Sequence, residues 1–265
     1  MMVLGLFFPV ASFEGATSGL TLFLTVLVPY LLPFLTFSKL FMHTVTRKTT
    51  SPSAFWMYCL ASVGGYPNGA LLVKQAYEQG RLKSPAWLLA ALQFPSPMFL
   101  IAFVGIASLN DRMIGITLYL LLHGINLSIF ILWLLRKSST LEPAVSLPRR
   151  PAQSFFLSIS ETLTIIAVSV IVSSSLAEVL VQTFVLPDSF AAILYGVLEL
   201  SAGIEQFADL NVPLFYYGLL IGFTGMSIHL QNYLLLRGLG ISFAPYWATR
   251  LLTMLVLGLI LYCLA

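Results

Sequence analysis

Four polar islands interrupt an otherwise apolar chain, and each holds groups able to bind a solute. The first is Gly64-Gly65-Tyr66-Pro67-Asn68-Gly69-Ala70, set inside an apolar run from Phe55 to Val73. Its three glycines and one proline within six residues remove a backbone donor and break the i to i−4 ladder. The second is Leu92-Gln93-Phe94-Pro95-Ser96-Pro97, the third Leu198-Glu199-Leu200-Ser201-Ala202-Gly203, and the fourth runs from Phe223 to Asn232. In lipid, irregular backbone persists only where protein or a water-filled cavity satisfies it, so such breaks mark sites. A broken helix offers N–H groups at the start of its second half, where a partial positive charge favours carboxylate or phosphate. Pro95 and Pro97 free carbonyls that suit a cation or a substrate donor. The candidate substrate-binding residues are therefore Gly65, Tyr66, Pro67, Asn68, Gly69, Gln93, Ser96, Glu199, Ser201, Ser227, His229, Gln231 and Asn232. The structural alternative is that the breaks are kinks with glycine spacers, and that the polar side chains bond neighbouring helices.

Glu199 is the most telling of these. A charged carboxylate at the centre of a membrane costs about 2.5–3.5 kcal/mol on insertion scales. It must be paired, protonated or in water, which makes it the candidate for proton or sodium coupling. Ser227 and Gln231 share a helix face at i and i+4, while His229 points elsewhere, so the fourth island cannot present every polar group to one solute.

The elements that would hold these groups are set by composition. The chain has 265 residues, 58% apolar and 9% charged, with a mean hydropathy of +0.94. This is the composition of a polytopic membrane protein, here one membrane domain over residues 1–265. No basic patch outside the loops suggests nucleic acid. Cys59 and Cys263 lie in apolar runs with no metal spacing. No Ser-His-Asp order, catalytic carboxylate pair, metal-ligand cluster or P-loop is present, so an enzyme is not expected.

Apolar segments fall at 1–13, 20–42, 53–73, 85–107, 113–135, 155–185, 189–207, 213–236 and 244–264. A helix needs about 20 residues to cross the hydrocarbon; six segments suffice, the first is short, and those at 53–73 and 189–207 are interrupted. If the interrupted pair enter and leave on one side, ten loop cations, including Lys74, Arg81 and Lys83, share a face and only Arg112 is opposite. That is the bias of cytoplasmic loops. It predicts an all-α polytopic membrane protein with two inverted repeats, each containing a broken re-entrant helical hairpin. Residues 14–135 form the first repeat, 136–154 a cytoplasmic linker and 155–265 the second repeat. Inverted repeats with paired interruptions point to a transporter site near the midplane.

The chain resembles the sporulation integral membrane protein family (YlbJ/SpoVV), within the wider set carrying nucleoside-recognition Gate domains. The resemblance rests on Pro29-Tyr30-Leu31-Leu32-Pro33-Phe34, Gly65-Tyr66-Pro67-Asn68-Gly69-Ala70, Ser96-Pro97-Met98-Phe99 with Val104-Gly105, and Ser227-Ile228-His229-Leu230-Gln231. Gly64-Gly65 stands where the family has serine-glycine, and Gln93-Phe94-Pro95 replaces its asparagine-rich lead. The resemblance implies transport of a small anionic aromatic, dipicolinate, during sporulation, on a scaffold related to concentrative nucleoside transporters.

The expected function is thus a secondary transporter for a small polar, anionic solute, in a bacterial cytoplasmic or sporulation-associated membrane. The alternatives are a nucleoside or nucleobase permease, or a non-transporting Gate-domain membrane assembly component. No cofactor is expected beyond a coupling proton or sodium ion. The expected partners are the lipid bilayer, the small-molecule substrate and further copies of the chain in a homo-oligomer.

Overall fold

A computed structural model describes residues 7–48, 54–82, 85–135 and 155–264. The described residues form helices and connecting turns, without strands. The linker expected at 136–154 lies outside them, as do Lys83 and the first six residues.

Helix α1 (Pro9–Leu22) starts on a proline whose missing N–H costs nothing at a first turn. It runs through a π-helical turn, Phe23–Leu27, into α2 (Val28–Lys48). The segments expected separately at 1–13 and 20–42 are therefore one continuous stretch over the described residues. Gly15 and Gly19, which lie between those two segments, are packing spacers: a Cβ on Gly15 would sit 2.7 Å from Ser174 O, and one on Gly19 3.0 Å from Ile171 Cα. Both face the 30-residue helix, Phe155–Phe184, which is numbered α7 below.

Next come α3 (Ala54–Gly64) and α4 (Asn68–Glu78), which pack against each other across the Gly65-Tyr66-Pro67 tip. Lys74, expected in a loop, lies within α4, and Arg81 is buried just beyond it. The segment 85–107, expected as a full crossing, is divided into α5 (Pro85–Ala91) and a π-helical segment, Met98–Ser108. Pro95 and Pro97 between them have no N–H to continue a ladder. Helix α6 (Arg112–Leu134) is capped by Asp111, whose Oδ1 accepts from Met113 N at 2.7 Å and Ile114 N at 3.2 Å.

Helices α8 (Asp188–Leu198) and α9 (Leu200–Asp209) pack together around a tip at Glu199. A Cβ on Gly203 would lie 2.1 Å from Gly196 Cα, so only paired glycines let these arms touch. Helices α10 (Leu214–Phe223) and α11 (Met226–Leu236) form one apolar span broken at Thr224-Gly225, and α12 (Ala244–Leu264) ends the chain's described part.

Among the described residues, five helical stretches are long and apolar enough to cross a membrane: 9–37, 112–134, 156–184, 214–236 (α10 and α11 together) and 244–264. Large apolar side chains such as Leu132, Phe156, Leu255 and Leu259 are exposed on them, where a bilayer would supply the apolar surroundings that water does not. The protein is an integral membrane protein. Two apolar clusters form its interior, one around Leu100, Leu118, Ile204 and Ile221, the other around Ala61, Val73, Leu88 and Leu236. Each draws on residues from before and after the linker.

Candidate functional site

A cavity opens where the helix breaks meet. It holds about 410 Å³ of empty space, mouth included. Its walls come from both sides of the linker: Leu27, Leu31, Tyr66, Pro95, Ser96 and Phe99 before it, and Ile166, Val170, Glu199, Leu200, Ser201, Ile228 and Gln231 after it.

The breaks are also held to one another. Gly65 has φ +68°, a left-handed backbone that glycine adopts freely, and a Cβ there would come 2.7 Å from Ser96 N. Gly225, φ +73°, packs its Cα face on Leu200, where a Cβ would lie 3.1 Å from the backbone N. So the first tip rests on the first broken span and the second tip on the second.

At the second tip the Glu199 carboxyl is buried, only 2% exposed. One oxygen accepts from Ala202 N at 2.8 Å, and the other from Ser227 Oγ at 3.5 Å. Glu199 therefore caps its own helix, occupying the position where an external anion was expected. At the first tip no side chain caps α4. The Asn68 amide turns back instead, Nδ2 donating to Leu60 O at 3.0 Å, which ties the two arms of the pair.

The thirteen candidate residues therefore separate by position. Tyr66, Ser96, Glu199, Ser201 and Gln231 line the cavity, and Ser227 reaches it through Glu199. Ser96 Oγ also accepts from Phe99 N at 3.1 Å, restarting the helix after the two prolines. Gly65, Pro67 and Gly69 shape the backbone; a Cβ on Gly69 would meet Leu92 O at 2.1 Å. Gln93, His229 and Asn232 belong to a separate buried network. Asn232 Nδ2 donates to Gln93 Oε1 and to the Tyr246 hydroxyl, both at 3.0 Å, and His229 Nδ1 meets that hydroxyl at 2.6 Å. The i, i+4 spacing separates the faces as expected: Ser227 and Gln231 go one way, His229 and Asn232 another.

Two cations in apolar helices escape a reading built on the breaks. Lys39 Nζ donates to Ser158 O at 2.5 Å, Ser158 Oγ at 2.7 Å and Thr162 Oγ1 at 2.8 Å, joining α2 to α7. Arg250 on α12 is fully buried. Its Nη2 donates to Ala90 O at 3.1 Å and Asn126 Oδ1 at 2.9 Å, while Asn126 Nδ2 donates to Gln93 O at 3.2 Å. The sequence signal for both was the one used for Glu199, since a charge within an apolar run carries the same insertion cost. Compared with known protein families, curated proteins and solved structures, the chain matches none.

Proposed function

We propose that this chain is a secondary transporter that moves a small polar solute through the cavity bounded by Tyr66, Ser96, Glu199, Ser201 and Gln231. The reading is carried by the convergence of four helix breaks, two from each half, on one buried space. A break that served packing alone would have no reason to meet the other three, or to bring a carboxyl with it. In this reading α3–α4 and α8–α9 are re-entrant hairpins and the two halves are inverted repeats. The loop charges support that arrangement, because it gathers the cations on the face of the 136–154 linker, which is then cytoplasmic. Glu199 is the group for proton or sodium coupling. The resemblance to the sporulation family supplies dipicolinate as the first solute to try, and nucleosides as the second.

The test is uptake into proteoliposomes containing the full chain, with labelled dipicolinate or uridine and with an imposed proton or sodium gradient. Uptake above that of protein-free vesicles is expected, and Glu199→Gln and Gln231→Leu are expected to abolish it while the protein still inserts. Wild-type flux in both variants would overturn the site. No flux of either solute in the wild type, under either gradient, would favour the assembly reading instead.

A further inference from the structure

Arg250 presents a problem that the hydrogen bonds around it leave open. A guanidinium has five N–H donors, and only Nη2 finds protein acceptors here. Nε and Nη1 have no acceptor within 3.5 Å, and the buried hydroxyl of Tyr66 stands beside the same guanidinium as no more than a long, weak acceptor. The neighbours of the charge, Ala90 O, Asn126, Tyr66, Tyr246 and His229, include no carboxylate. Among the described residues no carboxylate pairs with it, and Glu199 is committed to Ala202 N and Ser227. Buried charges are ordinarily paired. The partner that would complete this one is therefore an anion from outside the chain. Tyr66 gives the route, since it both lines the cavity and stands beside Arg250.

We propose that Arg250 and the Tyr66 hydroxyl form an oxyanion subsite beside the cavity, which receives a carboxylate or phosphate group of the solute. Nη1 and the hydroxyl donate to the oxyanion, while Ala90 O and Asn126 hold the guanidinium in place through Nη2. The apolar walls from Leu27, Phe99, Ile166 and Ile228 take the body of the same molecule. This inference rests on the transporter reading for its solute, but binding alone can decide it.

The experiment is calorimetric titration of the detergent-purified full chain with dipicolinate, its uncharged diamide, inorganic phosphate and uridine. The wild type is expected to prefer dipicolinate to the diamide by about tenfold or more, the effect of a charge-assisted hydrogen bond. Arg250→Gln should erase that preference, Arg250→Lys should restore part of it, and Tyr66→Phe should weaken dipicolinate while leaving the diamide unchanged. A purely structural Arg250 would lower the melting temperature of the empty protein without changing the preference. Displacement of dipicolinate by phosphate would support a general oxyanion subsite; failure to displace it would support one shaped for carboxylate. Equal affinity for dipicolinate and the diamide, or no binding of either charged probe by the wild type, overturns the proposal whether or not Arg250→Gln folds. Arg250-dependent binding without flux in vesicles would sink the transporter reading and leave the subsite standing. Flux indifferent to Arg250 would do the reverse.

Discussion

The two tips of this molecule, Gly65-Tyr66-Pro67 and Glu199, both reach the cavity, yet they bring different chemistry to it. The second tip ends in a carboxyl that caps its own helix, with Glu199 bonded to Ala202 N at 2.8 Å. The first tip leaves α4 without a side-chain cap and places Tyr66 beside a buried guanidinium. One small space is thus bounded by an acid at one tip and has a cation behind the other. The breaks before the linker hold prolines, Pro67, Pro95 and Pro97, whereas those after it, at Glu199 and Thr224-Gly225, hold none.

The largest expected effect tests the packing of the tips. Gly203→Leu and Gly69→Leu each drive a side chain into backbone only 2.1 Å from the ideal Cβ position. Each should cost about 3 kcal/mol or more, the upper range of overpacking, and be read as lost folded protein in detergent melting. If only one variant collapses, the tips are not equivalent in packing. The next effect tests the polarity. Glu199→Gln keeps a cap acceptor for Ala202 N but removes the acid, so gradient-driven uptake should fall about a hundredfold while anion binding survives. Tyr66→Phe should do the opposite, with weaker anion binding and an unchanged response to the gradient. Equal responses from the two variants would erase the contrast.

Smaller effects separate architecture from recognition. Asn68→Ala removes the bond to Leu60 O and should cost about 1 kcal/mol of stability. An uptake loss much larger than that stability loss would return Asn68 to the solute. Ser96→Ala removes the acceptor for Phe99 N and should cost about 1 kcal/mol, as helix caps do. Ser227→Ala, whose contact with Glu199 is 3.5 Å long, should cost only about a few tenths of a kcal/mol in the melt.

Much of the architecture was legible because breaks and apolar runs are local. Prolines that cannot donate and an acidic residue within an apolar run identify the islands wherever the chain later folds. The limits were local too. The runs at 1–13 and 20–42 read as separate segments, because a sequence does not show that Gly15 and Gly19 between them will pack against Ser174 and Ile171. The 85–107 segment reads as a crossing by hydropathy, although Pro95 and Pro97 divide it into α5 and a π-helical segment.

By itself, then, the sequence determined that this is a helical membrane protein and where its helices break, since the hydropathy of a run and the missing N–H of proline act over a turn or two. Tertiary structure decided which polar groups are used up within the protein and which remain. Asn68 donates to Leu60 O, and His229 and Asn232 each bond to Tyr246, whereas His229 Nε2, Asn232 Oδ1 and Arg250 Nε and Nη1 have no partner within 3.5 Å. Hydrogen bonding saturates, and whether Arg250 is satisfied depends on acceptors 124 and 160 residues away in the chain. Only packing brings those groups within reach, so only the folded protein shows what they leave for a solute.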